Sequence, residues 1–73
     1  MLIRLGPHNA GSGPQPAGSA GQYMLVASGT VRIPGATLPR WSCVWVGPDE
    51  PALALEAGGE GAEVIAVQFP RAA

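Results

Sequence analysis

Glycine and proline recur throughout this chain and divide it into short apolar runs. Eleven glycines and eight prolines are spread over 73 residues, and most lie between the apolar runs. Short apolar runs bounded by such turn residues are typical of β-strands, whereas helices need longer uninterrupted stretches. We therefore expect an all-β domain, a small barrel or sandwich of six to seven short antiparallel strands.

The individual runs indicate where these strands lie. "MLIRL" predicts a first strand, and "QYMLVASGTVRI" predicts two strands around a turn at Ser28 and Gly29, since glycine adopts positive φ without steric cost. "WSCVWV" is apolar on both faces, which predicts that both faces are covered. "PALALEAG" also has helix-favouring residues, but it is short and bounded by turn signals, so we expect a strand. "GGEGA" predicts a further turn, and "EVIAVQF" predicts the last strand.

The length of the chain sets its domain organisation. We expect one domain over residues 1–73, with a long Gly/Pro-rich loop at 6–21 that is either a linker or a functional loop. A domain this small buries only about 60% of its unfolded surface, so it usually needs a disulfide, a metal or a partner subunit. Cys43 is the sole cysteine, which excludes an intramolecular disulfide, and its neighbours predict a buried thiol. We therefore expect a homodimer.

Charge and hydropathy narrow the classes of partner. The net charge is −1 and only 12% of residues are charged, which excludes nucleic-acid binding driven by electrostatic attraction to the phosphates. No apolar stretch approaches the roughly 20 residues of a membrane span, and no secretory signal is visible. A lone cysteine suits a reducing compartment. These features predict a cytoplasmic protein with no nucleic-acid or membrane partner.

The order of the pieces from Gln22 onward resembles a small single-domain cupin. The first cupin motif ends in glutamate, six residues and a glycine, and here Gln22 is followed by "YMLVAS" and Gly29. The second motif carries Pro-x-Gly, two residues and a histidine, and "WVGPDEPA" puts Ala52 at the histidine position. The resemblance implies a jelly-roll barrel with a metal held by three histidines and that glutamate.

The metal ligands that the resemblance implies are replaced in this chain. The two remaining histidine positions fall near Pro16 and Gly18, so the four ligand positions hold Pro16, Gly18, Gln22 and Ala52. Proline, glycine and alanine side chains donate no lone pair, and one neutral amide does not hold a transition metal. We therefore expect a metal-free protein without a cofactor. His8, the only histidine, is expected to be a solvated loop residue unless it forms a site shared between subunits.

Two sets of residues keep alternative interpretations open. The resemblance implies that Gln22 faces the barrel interior with Met24 and Val26, near Ala52, either as core packing or as a small pocket for an uncharged ligand. Trp41 and Trp45 share strand parity and are predicted either in the core or at the centre of a dimer interface.

We expect a cupin-like module without catalysis, acting in small-molecule binding or in structure. The alternatives are a metal-dependent cupin enzyme of dioxygenase or isomerase type with an atypical or intersubunit site, and a ligand-sensing domain related to a regulator.

Overall fold

A computed structural model describes residues 1–70 as an all-β fold. Among these residues there is no helix, and hence none with the length and apolar character that a membrane crossing requires. The six strands match the predicted number and are β1 (Leu2–Leu5), β2 (Ala10–Ser12), β3 (Ser19–Ile33), β4 (Ala36–Leu38), β5 (Cys43–Val46) and β6 (Ala54–Pro70).

Two long strands organise a single open antiparallel sheet. Strands β3 and β6 pair along nearly their whole length, from Ser19 opposite Pro70 to Arg32 opposite Glu56. The other edge of β6 pairs with β1 and β2, and the other edge of β3 pairs with β4 and β5. The antiparallel all-β prediction is therefore confirmed, while the sheet is not closed into a barrel.

The turn predicted at Ser28 and Gly29 is wrong, because the chain passes through this point as an irregularity within β3. The β3–β6 register shifts between Val26 and Ser28, and again between Gly29 and Val31. Gly29 has φ 70° and lies against the carbonyl oxygen of Gly61, so glycine permits a bulge there and leaves no room for a side chain. The predicted "GGEGA" turn is also wrong, because β6 continues through it. The extra residues here lie on β6, which advances from Ala57 to Ala62 while β3 advances only from Val31 to Gly29.

In the described part of the chain, the core lies on one face of the sheet and contains only aliphatic side chains and methionine. Within residues 1–70 it consists of Met24, Val26, Val31, Val46, Leu55, Ala57, Ala62, Val64 and Ala66. The predicted burial of Cys43 is wrong: the thiol residue is exposed, because β5 turns Val44 and Val46 towards the core and the alternate positions away from it.

The Gly/Pro-rich segment 6–21 is held against the sheet. It contains β2 and the start of β3. Between these strands the Gly13 amide donates to the Leu53 carbonyl at 2.9 Å, and the Gln22 side chain donates to the Pro14 carbonyl at 3.0 Å. This part of the chain therefore covers the sheet and contributes buried contacts around Gln22.

Candidate functional site

The residues predicted to line an interior site contribute mainly to the core. Gln22 is 0% exposed; its Nε2 donates to the Pro14 carbonyl, and its Oε1 has no hydrogen-bond partner in the described part of the chain. Met24 and Val26 follow it on the same face and belong to the core cluster. Ala52 lies half-buried in the connection between β5 and β6. Binding of an uncharged ligand by these residues stays a prediction.

The positions that the cupin resemblance aligns with metal ligands differ in their burial. Pro16 is buried, whereas Gly18 is exposed in a turn with φ 84°. Residues 1–70 contain no group of three or more histidine, cysteine, aspartate or glutamate side chains placed to hold a metal ion. His8 is exposed with φ 59° and lines a cavity of about 190 Å³ beside the Arg32–Glu56 ion pair.

The opposite face of the sheet carries a continuous apolar surface, which we call the aromatic face. The strand register brings its members together from four strands: Ile65 lies opposite Leu2 and Leu25, Leu25 lies opposite Cys43, and Tyr23 lies opposite both Trp45 and Val67. Phe69 follows on the same side of β6, because side chains two residues apart share a face. The aromatic face comprises Leu2, Tyr23, Leu25, Cys43, Trp45, Ile65, Val67 and Phe69.

Three aromatic rings pack against one another on this face. The Tyr23 ring centroid lies 4.8 Å from that of Trp45 and 5.9 Å from that of Phe69, both in edge-to-face geometry, and the Trp45 and Phe69 centroids are 6.2 Å apart. Such distances and orientations are those that aromatic pairs prefer. The rings are therefore held in place while remaining 40–45% exposed.

The absence of a side chain at Gly21 leaves the space that the Trp45 indole occupies. It has φ 119°, and the six-membered part of the indole occupies the space that a side chain at this position would need. An aromatic ring thus lies directly on the backbone of β3, opposite Phe69 on β6. Any larger residue at position 21 would displace Trp45 and disturb the ring cluster.

Charged groups lie at the edge of the aromatic face. Arg4 Nε donates to Glu63 Oε2 at 3.0 Å, and the Ser28 hydroxyl donates to the other oxygen of that carboxylate at 3.2 Å. None of the eight members of the aromatic face is an aspartate, glutamate, lysine, arginine or histidine. The surface therefore has an apolar centre, and on one side it is bordered by the hydrogen-bonded side chains of Arg4, Glu63 and Ser28.

Trp41 does not belong to the ring cluster of Trp45, although the sequence pattern placed both on one side of a strand. It lies in the turn before β5 with φ 73°, and the Arg40 guanidinium lies 4.4 Å from its ring centroid. The reversal of the backbone at Trp41 breaks the strand alternation that the prediction assumed. The rings that pack against Trp45 are those of Tyr23 and Phe69, and not the indole of Trp41.

The exposed area of the aromatic face is large for a chain of this size. Six of its members are 38–50% exposed, namely Leu2, Tyr23, Trp45, Ile65, Val67 and Phe69. With full side-chain areas of about 150–250 Å², they leave about 500 Å² exposed. Contiguous apolar patches of that size on small proteins commonly mark interaction sites.

No family model, curated protein or solved structure matches the chain. The aromatic face is therefore identified from the geometry of this chain alone.

Proposed function

We propose that the chain is a non-catalytic, cupin-like association module that binds a protein partner through the aromatic face. The supporting observation is that all four aromatic residues of the chain are exposed, and that three of them meet on one uncharged sheet face. Aromatic side chains contribute the largest apolar area of any residue type. Here that area is excluded from the core and kept available for a partner.

The chemistry of the aromatic face is that of an interface centre. Tyrosine, tryptophan and phenylalanine are enriched in the buried centres of protein interfaces, and charged residues are depleted there. Pre-packed rings lose little conformational entropy on binding, because their neighbours already restrict their rotamers. The ion pair of Arg4 and Glu63 at the edge corresponds to the polar rim that surrounds such centres.

The cupin-like part of this proposal rests on the spacing of Gln22 and Gly29 and on the sequence "WVGPDEPA" at 45–52. We propose the cytoplasm as the location, since a reducing compartment keeps an exposed thiol such as Cys43 free. The working surface in this proposal is the outer face of the sheet, and the packed inner face supports it.

Site-specific photo-crosslinking in cells tests the proposed surface. A benzophenone amino acid replaces Val67, which is 50% exposed at the middle of the aromatic face, and a matched variant carries it at Thr37, an exposed residue of β4. We expect protein adducts from position 67 and none from position 37. Equal or absent adducts at the two positions would contradict the proposal.

A further inference from the structure

We infer that the partner of the aromatic face is a second copy of this chain, packed face to face about a two-fold axis. This inference rests on the proposed function, since it names the occupant of the same surface. In such a dimer the two sheets stack about 10 Å apart with their side chains interdigitated, as in β-sandwiches. Each Tyr23–Trp45–Phe69 cluster then covers the aromatic face of the other copy.

The exposed area reaches the lower bound expected of a specific dimer interface. The six half-exposed members of the face contribute about 500 Å² per copy, so two copies bury about 1,000 Å² from these side chains alone. That total reaches the size of about 1,000 Å² that separates specific interfaces from incidental contacts. Leu25, Cys43 and the flanking backbone add to it.

The charge pattern also fits a two-fold arrangement. A two-fold interface places the same patch on both copies, so a charged centre would bring like charges together. The aromatic face has no charge at its centre, and its edge carries one cation and one anion in contact, Arg4 and Glu63. Whichever charged group of the second copy approaches this edge, Arg4 or Glu63, it therefore finds a group of opposite charge there.

The core of the single chain gives an independent reason for a partner. Within residues 1–70 its nine buried hydrophobic residues include three alanines, four valines and no aromatic ring. A domain of this size is at the lower limit of independent stability. Covering the aromatic face would add a second apolar layer that the single chain lacks.

A lipid surface is the less favourable occupant. Interfacial binding to membranes combines an apolar face with basic residues that attract anionic lipids. This chain has a net charge of −1, and Arg4 at the edge of the face is paired with Glu63. A protein surface of the same uncharged character matches the aromatic face better.

Sedimentation velocity from 1 to 100 µM, with the wild type and two variants, tests the dimer. We expect the wild-type mass to rise from 7.4 kDa to twice that value. Val67→Glu places a charge at the centre of the interface and should raise the dimer dissociation constant at least about 100-fold, because a buried unpaired charge is strongly unfavourable. Thr37→Glu carries the same charge on β4 and should dimerise as the wild type does.

A second readout on the wild type needs no variant. Cys43 lies on the aromatic face, so its labelling by a maleimide should slow at least about tenfold as the dimer forms. Circular dichroism checks that Val67→Glu is folded. Val67→Thr is a milder substitution, because threonine has nearly the shape of valine and adds a hydroxyl group without a charge.

Three results would overturn the inference. These are a wild-type monomer at 100 µM, a dimer that persists unchanged in Val67→Glu, and binding of the monomer to phosphatidylcholine vesicles without any dimer. If the purified chain is monomeric while position 67 still forms adducts with another protein in cells, the dimer is refuted and the proposed association function stands. If position 67 forms no specific adducts, the proposed function fails as well.

Discussion

Replacing Gln22 by glutamate should make the stability of this protein depend strongly on pH. The Gln22 side chain is 0% exposed, and its only hydrogen bond in the described structure is from Nε2 to the Pro14 carbonyl. A protonated carboxyl at this position donates to the same carbonyl, so Gln22→Glu should resemble the wild type at low pH. An ionised carboxylate there would be buried beside a carbonyl oxygen with no compensating donor.

The magnitude follows from proton linkage. Burial raises the pKa of the substituted carboxyl in the folded state, so the unfolded state loses its proton first as pH rises. The free energy of unfolding then falls by about 1.4 kcal/mol per pH unit, from the ordinary glutamate pKa up to the raised one. Between pH 5 and pH 8 the loss is at most about 4 kcal/mol, a large share of the roughly 4–11 kcal/mol expected for a domain of this length.

Urea denaturation at pH 5 and pH 8, at one fixed protein concentration, measures this loss. A change of about 4 kcal/mol lowers the urea midpoint by about 3–4 M, at the m-value of about 1 kcal/mol/M typical of so small a domain.

Two variants control for charge and for shape. Thr37→Glu introduces the same charge at an exposed residue of β4, and Gln22→Met keeps the volume without a charge. Both should follow the pH dependence of the wild type. Equal midpoints for Gln22→Glu at the two pH values, relative to the wild type, would refute the burial of this side chain.

Three further predictions concern the sheet. Gly29→Ala should destabilise by more than about 2 kcal/mol, because the new methyl meets the Gly61 carbonyl at positive φ, whereas Gly35→Ala, with open space at φ 84°, should cost about 1 kcal/mol; equal urea midpoints would contradict this. Leu55→Ala should cost about 2–5 kcal/mol in thermal or urea unfolding, and a loss below 1 kcal/mol would argue against its place in the core. Arg4→Ala should change stability by less than about 1 kcal/mol, since its ion pair is exposed to solvent, and a larger loss in urea unfolding would show that this pair is structurally important.

The strand content could be predicted from the sequence, whereas the continuity of the two long strands could not. The spacing of glycine and proline indicates short strands wherever they interrupt an apolar run. Gly29 and Gly61 are of a residue type common in turns, but Gly29 pairs with Ala62 of β6, and Gly61 lies within β6 with its carbonyl oxygen against Gly29. Whether a glycine ends a strand or bends it depends on the partner strand, which local sequence does not reveal.

The aromatic face was only partly predictable. The sequence predicts Trp45 either in the core or at an interface, but the clustering of Tyr23 and Phe69 beside it depends on the register of β3 with β5 and β6. The available signal was the apolar character of both faces of these strands, which predicts that both are covered. Gln22 is buried on the core face of the sheet with Met24 and Val26, and the cupin resemblance stays a prediction. The metal-free character and the ligand stay predictions, whereas the barrel closure is not found in the open sheet of residues 1–70.

Fluorescence quenching of Trp45 tests most directly whether the aromatic face is covered in solution. In Trp41→Phe the only indole is Trp45, which is 45% exposed in the single chain. Acrylamide quenching is measured at 1 µM and at 100 µM protein. We predict that quenching of Trp45 falls several-fold at the higher concentration, whereas the indole of Trp41 in the reciprocal variant Trp45→Phe stays accessible at both. Unprotected quenching of Trp45 at both concentrations would contradict the assignment of the aromatic face as the contact surface between copies.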